Sequence, residues 1–178
     1  MRNERPRAMR LRQGLVLLGG ATAFLLVVGS DPAAFYLTPL GIGLVYLLAA
    51  AAGGRQGGYW AGALVFCGWG AAVVVVRQAR PDLDIAGLYL AGAGLGAVLA
   101  IAIQRAGVRS DPMGAAAAIV AAGTILALSD TWAPLTESRT YALLVGAIGL
   151  LNVVWALLAQ RSSDQPAASA ERSPPRAQ

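Results

Sequence analysis

The 178-residue sequence has no histidine, no lysine and a single cysteine, Cys67. Without histidine, nucleophile activation of the Ser–His–Asp kind is excluded, and so are most zinc sites. One cysteine supports neither an internal disulfide nor a thiolate metal site. Set in the apolar run LVFCGWG, it is expected to be a packed, protonated thiol. Charge is scarce too: Asp, Glu, Lys and Arg make up 13% of the chain, about half the share of a soluble domain, too little to cover a globule in water. The 14 basic residues are all arginine and stand at the ends of apolar stretches, not along one stripe. The net charge of +5 therefore reads as membrane topology, and no nucleic-acid partner is expected.

What the chain has is apolar length. Hydrophobic residues make up 57% of it, and its mean hydropathy is +0.60. Runs of about 20 residues, the length that crosses a bilayer core, fall at 11–29, 33–53, 58–77, 85–104, 113–129 and 139–159. The connections GSDP, GGRQGG, RQARPDLD, RAGVRSDP and SDTWAPLTESR are short and hold turn formers and charges. The expected fold is all-α, a polytopic bundle of six transmembrane helices with membrane lipid around it. Residues 1–13 form a basic N-terminus, 14–161 the transmembrane domain and 162–178 a polar tail. The tail, rich in Pro, Ser and Ala without apolar periodicity, is expected to be disordered.

Arginine placement sets the expected orientation. Arg2, Arg5, Arg7, Arg10, Arg12, Arg55, Arg105, Arg109, Arg161, Arg172 and Arg176 fall on one side of a six-span chain. Only Arg77, Arg80 and Arg139 fall on the other. The majority side should be cytoplasmic, which puts both termini in the cytoplasm and the chain in a cell membrane of the bacterial inner type. The first 30 residues also have the charged start and apolar core of a signal peptide. Their long core and the poor small-residue pattern before Ser30 favour a retained first span.

The chain also resembles itself. Odd spans share a core: LVLLG at 15–19, LVFCG at 64–68 and IVAAG at 119–123. Even spans open on tyrosine, at Tyr36, Tyr89 and Tyr141, with glycine five residues later at Gly41, Gly94 and Gly146. Acidic residues precede each tyrosine (Asp31; Asp82 and Asp84; Asp130 and Glu137), and Arg55, Arg105 and Arg161 close the even spans. A period near 50 residues predicts one two-helix hairpin used three times. A second scheme pairs the SDP at 30–32 with the SDP at 110–112 as an inverted repeat of the transporter kind, on a tripeptide that is also an ordinary helix start.

The paired spans GLVLLG…LL and YLTPLGIGL…R, residues 14–55, resemble the membrane hairpins of LiaF-type proteins, with looser likeness in the other two units. The resemblance implies a membrane protein of the cell-envelope stress kind. The soluble C-terminal β domain often found in that family has no counterpart in the short tail, and the resemblance carries over no catalytic or ligand residue.

Away from their edges the spans hold no Asp, Glu, Lys or Arg, which weighs against proton-coupled carriers, pumps and voltage sensors. Asp82 and Asp84 in RPDLD form a carboxylate pair, but the setting suits a solvated helix start better than a cation site. Pro39 is expected to kink the second span some six residues inside it. Small residues should carry the packing: Gly92 and Gly96 as a GxxxG face in the fourth span, and Gly114, Ala118 and Ala122 in the fifth. In the sixth, Gly146, Gly149, Asn152 and Ala156 fall on one helical stripe. A carboxamide there is expected to hydrogen-bond across to a neighbouring helix, a reading preferred to substrate binding.

With no cofactor expected, the sequence points to a non-enzymatic integral membrane protein. It would serve assembly or envelope homeostasis, as a homo-oligomer or with a membrane-protein partner. The alternative is a carrier of small molecules or lipid, which needs a polar-lined cavity.

Overall fold

The computed structural model describes residues 4–28, 32–79, 85–128 and 137–170, and all regular structure among them is helical. Six α-helices follow one another: α1 (Glu4–Val28), α2 (Thr38–Gly53), α3 (Trp60–Ala79), α4 (Ile85–Arg105), α5 (Pro112–Leu128) and α6 (Ser138–Ala170). Short 3₁₀ turns at Pro32–Leu37 and Gly54–Gln56 lead into α2 and out of it. The expectations that fell on Asp31, Arg80, Pro81, Asp82, Asp84, Asp130 and the tail from Glu171 onward lie outside the described residues.

Local chemistry explains the helix ends. Asp111 caps α5, accepting a hydrogen bond from the Met113 amide at 3.0 Å, while Pro112 fills a first-turn position that needs no donor. Gly107, at φ 83°, closes α4: the Gly107 amide donates to Gln104 and the Val108 amide to Ile103, which satisfies two terminal carbonyls. Pro39 does not kink α2. It lies in the helix's first turn, because a 3₁₀ turn precedes the helix, and a missing amide costs little there. α6 also runs past its expected end at 159, so residues 162–170 of the anticipated tail are helical. Ala and Gln extend a helix whose nucleus already exists, and Pro166 forfeits one hydrogen bond within it.

Five segments are long and apolar enough to cross a membrane: Arg7–Val27, Phe35–Gln56, Trp60–Ala79, Ile85–Arg105 and Ser138–Ala159. α5, with 17 residues, rises only about 25 Å and stands at the short limit for a span. Side chains such as Leu90, Leu95, Leu143 and Trp155 point away from the bundle, an apolar exterior that water would penalise and lipid would not.

Helix neighbours run α4–α3–α2–α1–α6, with α5 laid against α3. Close contacts join Gly14 to Gly149 and Gly20 to Val45, then Gly43 to Cys67 and Gly68 to Gly92, so consecutive neighbours in that row are antiparallel. The first two sequence units are packed hairpins, α1 with α2 and α3 with α4. The third is built differently: α6 packs along α1, and α5 and α6 hardly touch. Leu17, Ala21, Ile42, Ala49, Tyr141 and Val145 form one core cluster, and Val65, Trp69, Ala93, Ala118 and Ala122 form the other.

Candidate functional site

Small side chains let α1 and α6 approach until backbone meets backbone. A β-carbon placed on Gly149 would fall 3.0 Å from the Gly14 carbonyl oxygen and from the Leu17 β-carbon. One turn further along α6 this seam reaches Asn152, whose own β-carbon would lie 3.2 Å from one added at Gly14. The Asn152 Nδ2 donates to the Tyr59 hydroxyl at 2.7 Å and to the Ile148 carbonyl of its own helix at 2.8 Å. Tyr59, just before α3, stands edge-on to Tyr46 with ring centroids 5.5 Å apart. One carboxamide thus ties α6 to the start of α3 while its helix packs on α1.

Beyond that hydrogen bond the bundle opens. A cavity of about 570 Å³ lies at the arginine-rich end, lined by Arg10 and Gln13 from α1, by Tyr59, by Arg109 and Asp111 before α5, and by Asn152. Two ties fix its rim: the Arg109 amide donates to the Arg55 carbonyl at 2.7 Å, and the Trp60 indole to the Gly54 carbonyl at 3.0 Å. Gln13 is only 3% exposed, wedged against Gly53 and Gly57, and its Nε2 finds no acceptor in the protein. Burial pushes the Tyr59 hydroxyl above its ordinary 10.0, against the opposing pull of the Asn152 hydrogen bond and the Arg10 charge, so Tyr59 stays neutral. Two guanidinium groups outnumber one carboxylate, and the Asp111 Oδ1 is already engaged by the Met113 amide. The donors that remain suit an anionic oxygen group.

The other anticipated packing residues sort by partner. Gly92 and Gly96 lie against α3, where added β-carbons would strike the carbonyls of Gly68 and Leu64. Ala118 and Ala122 are buried with Val65 and Trp69, and Gly114 faces Gly62. Gly146 faces Ala21, and Ala156 is buried further along α6. The three unit tyrosines, Tyr36, Tyr89 and Tyr141, converge on one cavity at the opposite end of the bundle. Among the described residues no cluster of three or more His, Cys, Asp or Glu comes together.

Gln13, Tyr59 and Trp69 were not singled out from the sequence. Gln13 was assigned to the polar arm, although it adjoins the first apolar residue without a break. Tyr59 falls outside the repeat of tyrosines that drew attention. Trp69 was marked only by its flanking glycines, Gly68 and Gly70, which let α4 and α2 close on both of its sides. No family model, curated protein or solved structure matches the chain, so the likeness to LiaF-type hairpins rests on the residues of its first unit alone.

Proposed function

We propose that the chain is a non-enzymatic, multi-pass membrane protein that holds an anionic group at its cytoplasmic end, as a component of envelope assembly or homeostasis. In this reading α5 completes a set of six spans, the three units descend from one hairpin, and both termini are cytoplasmic, as the arginine distribution requires. The observation that carries the proposal is the position of Asn152. It bonds to Tyr59 and also borders a cavity whose other polar groups include Arg10, Arg109 and the unpartnered Gln13 amide. Basic pockets between helices at the cytoplasmic side take phosphate headgroups by this chemistry.

The same cavity favours a second reading, a carrier. Its polar groups, however, stop at the end of the bundle, and the middle is filled by Leu17, Ala21, Ile42 and Ala49. Holding is therefore preferred to passage.

The test is retention of ligand by the full chain in detergent. Native mass spectrometry should find phosphatidylglycerol retained over phosphatidylcholine, and titration with inorganic phosphate shows whether a free anion competes. Arg10→Gln with Arg109→Gln should lower retention by about tenfold, the loss of one or two charge-assisted hydrogen bonds. Equal retention of neutral and anionic lipid, unchanged in the double variant, would defeat the proposal. Uptake of anion into proteoliposomes would move the carrier reading ahead.

A further inference from the structure

At the end of the bundle opposite the arginines, α2, α3, α4, α5 and α6 converge on an enclosed space of about 250 Å³. Its walls are aromatic to an unusual degree for a chain with 7% Phe, Trp and Tyr: Phe35, Tyr36, Trp69, Tyr89 and Tyr141 all face it. Trp69 is 4% exposed, and its indole Nε1–H has no acceptor in the protein. A buried donor left without a partner loses its bond to water and gains nothing in return. Indole has no acceptor lone pair and cannot be re-oriented into satisfaction as an amide can. The Thr38 hydroxyl, on the same wall, is occupied with the Ser138 hydroxyl at 3.1 Å.

The cavity is not sealed from the side. Trp69 and Tyr89 also border an apolar groove of about 580 Å³ between α4 and α5, bounded by Ile85, Leu90 and Ile119. α4 and α5 have little direct contact, and Gly123 on the groove has open space before it. Neither the groove nor the cavity is lined by a charged residue.

We propose that the aromatic cavity and its lateral groove form a binding site for a membrane-dissolved quinone, a neutral ring carrying carbonyl oxygens on an apolar tail. The Trp69 indole N–H donates to a ring carbonyl, the aromatic side chains stack on the ring, and the tail leaves through the groove between α4 and α5 into the hydrocarbon. Each part of the ligand answers one observation. The orphan donor needs an acceptor, flat aromatic walls favour a flat ring, and the absence of charge selects a neutral molecule. The cavity lies below the about 300 Å³ at which pockets begin to hold drug-sized molecules, which fits a ring system alone, with the tail outside it. This site is separate from the polar cavity and stands or falls independently of the function proposed for that end.

The experiment uses the full chain in nanodiscs, with Trp60, Trp132 and Trp155 replaced by phenylalanine so that Trp69 is the sole indole. Decylubiquinone should quench Trp69 fluorescence saturably, and tail-less menadione should do so more weakly. Val73→Phe, which fills the cavity, should abolish the saturable component. Because Trp60→Phe removes the bond to Gly54, the melting temperature of the unsubstituted chain is followed in parallel and should rise with decylubiquinone. Trp69→Phe keeps an aromatic wall but removes the donor, and should weaken that response by about tenfold in quinone concentration. Quenching that grows linearly with quinone, or that survives Val73→Phe, overturns the site. Saturable quenching by brominated phosphatidylcholine at the same mole fraction also overturns it, assigning the space to ordinary lipid.

Discussion

The hydrogen bond from Asn152 to Tyr59 can be weighed by a double-mutant cycle. The substitutions are Asn152→Ala and Tyr59→Phe, singly and together. Alanine is the right replacement because the Asn152 β-carbon already fits closely against Gly14, so truncation beyond it leaves the α1–α6 seam in place. Of the two bonds Asn152 donates, the one to Ile148 stays within α6 and adds nothing between helices. The coupling should therefore reflect the 2.7 Å bond to Tyr59 alone. Interhelical hydrogen bonds in membranes are worth about 0.6 kcal/mol on average and up to about 1.7 kcal/mol. The short distance and half-buried setting place this one in the upper half of that range, about 1–1.7 kcal/mol. Steric trapping in bicelles or unfolding in SDS mixtures reads the four stabilities. A coupling below about 0.3 kcal/mol, the scatter of additivity for independent sites, would refute the account of Asn152 as a bond between helices. Asn152→Leu should cost a similar amount, whereas Leu151→Ala, at an exposed position, should change stability by less than about 0.5 kcal/mol.

Gly96→Leu, which drives a side chain into the Leu64 carbonyl, should destabilise by about 1–3 kcal/mol or more in the same assay, while Gly94→Leu, facing open space two residues away, should be tolerated. In a Cys67→Ala background, Ser169→Cys should resist impermeant thiol reagents in intact cells and Thr136→Cys should label; the reverse pattern would invert the proposed topology. Burial raises the Tyr59 pKa in the folded protein, so the fold holds that proton more tightly than the unfolded chain does. The stability this brings is intact below pH 10.0 and is lost as pH climbs through the higher folded value, and Tyr59→Phe should shrink the loss seen by circular dichroism.

Much of the architecture was written in the spacing of apolar residues and arginines, because a bilayer imposes one length and one polarity pattern on every span. That pattern located each helix, and the stripe through Gly149 and Asn152 identified the face of α6 that packs. It did not reveal the partner. Which helix meets Gly149 depends on where Gly14 lies after the whole bundle has formed, a relation between positions more than 130 residues apart that no local period records. The third unit shows the same limit. Its sequence likeness to the others invited a hairpin, yet Ala118 and Ala122 fit the surface of α3 beside Trp69 better than anything α6 offers. Boundaries failed where helix propensity was overridden locally: Pro39 became a first-turn residue once a 3₁₀ turn had formed ahead of it, and α6 carried on into a polar segment. The polar cavity was the least legible part, since Gln13, Tyr59 and Arg109 reach it from three different connections.

The pairing of α1 with α6 has a consequence for synthesis. The first helix to leave the ribosome finds its most extensive partner in the last, so α2, α3, α4 and α5 are all made while one side of α1, including Leu17 and Gly14, still lacks its cover. Until residue 138 has emerged, that groove faces lipid or the insertion machinery, and the tie from Asn152 to Tyr59 cannot form. Closure is thus a late event of long sequence separation, the kind that arrives slowly and leaves incomplete chains sticky. A nascent chain stalled within α5 would expose an unfilled small-residue track on α1, and a quality-control protease that recognises such tracks would sort finished from unfinished molecules by whether α6 had arrived.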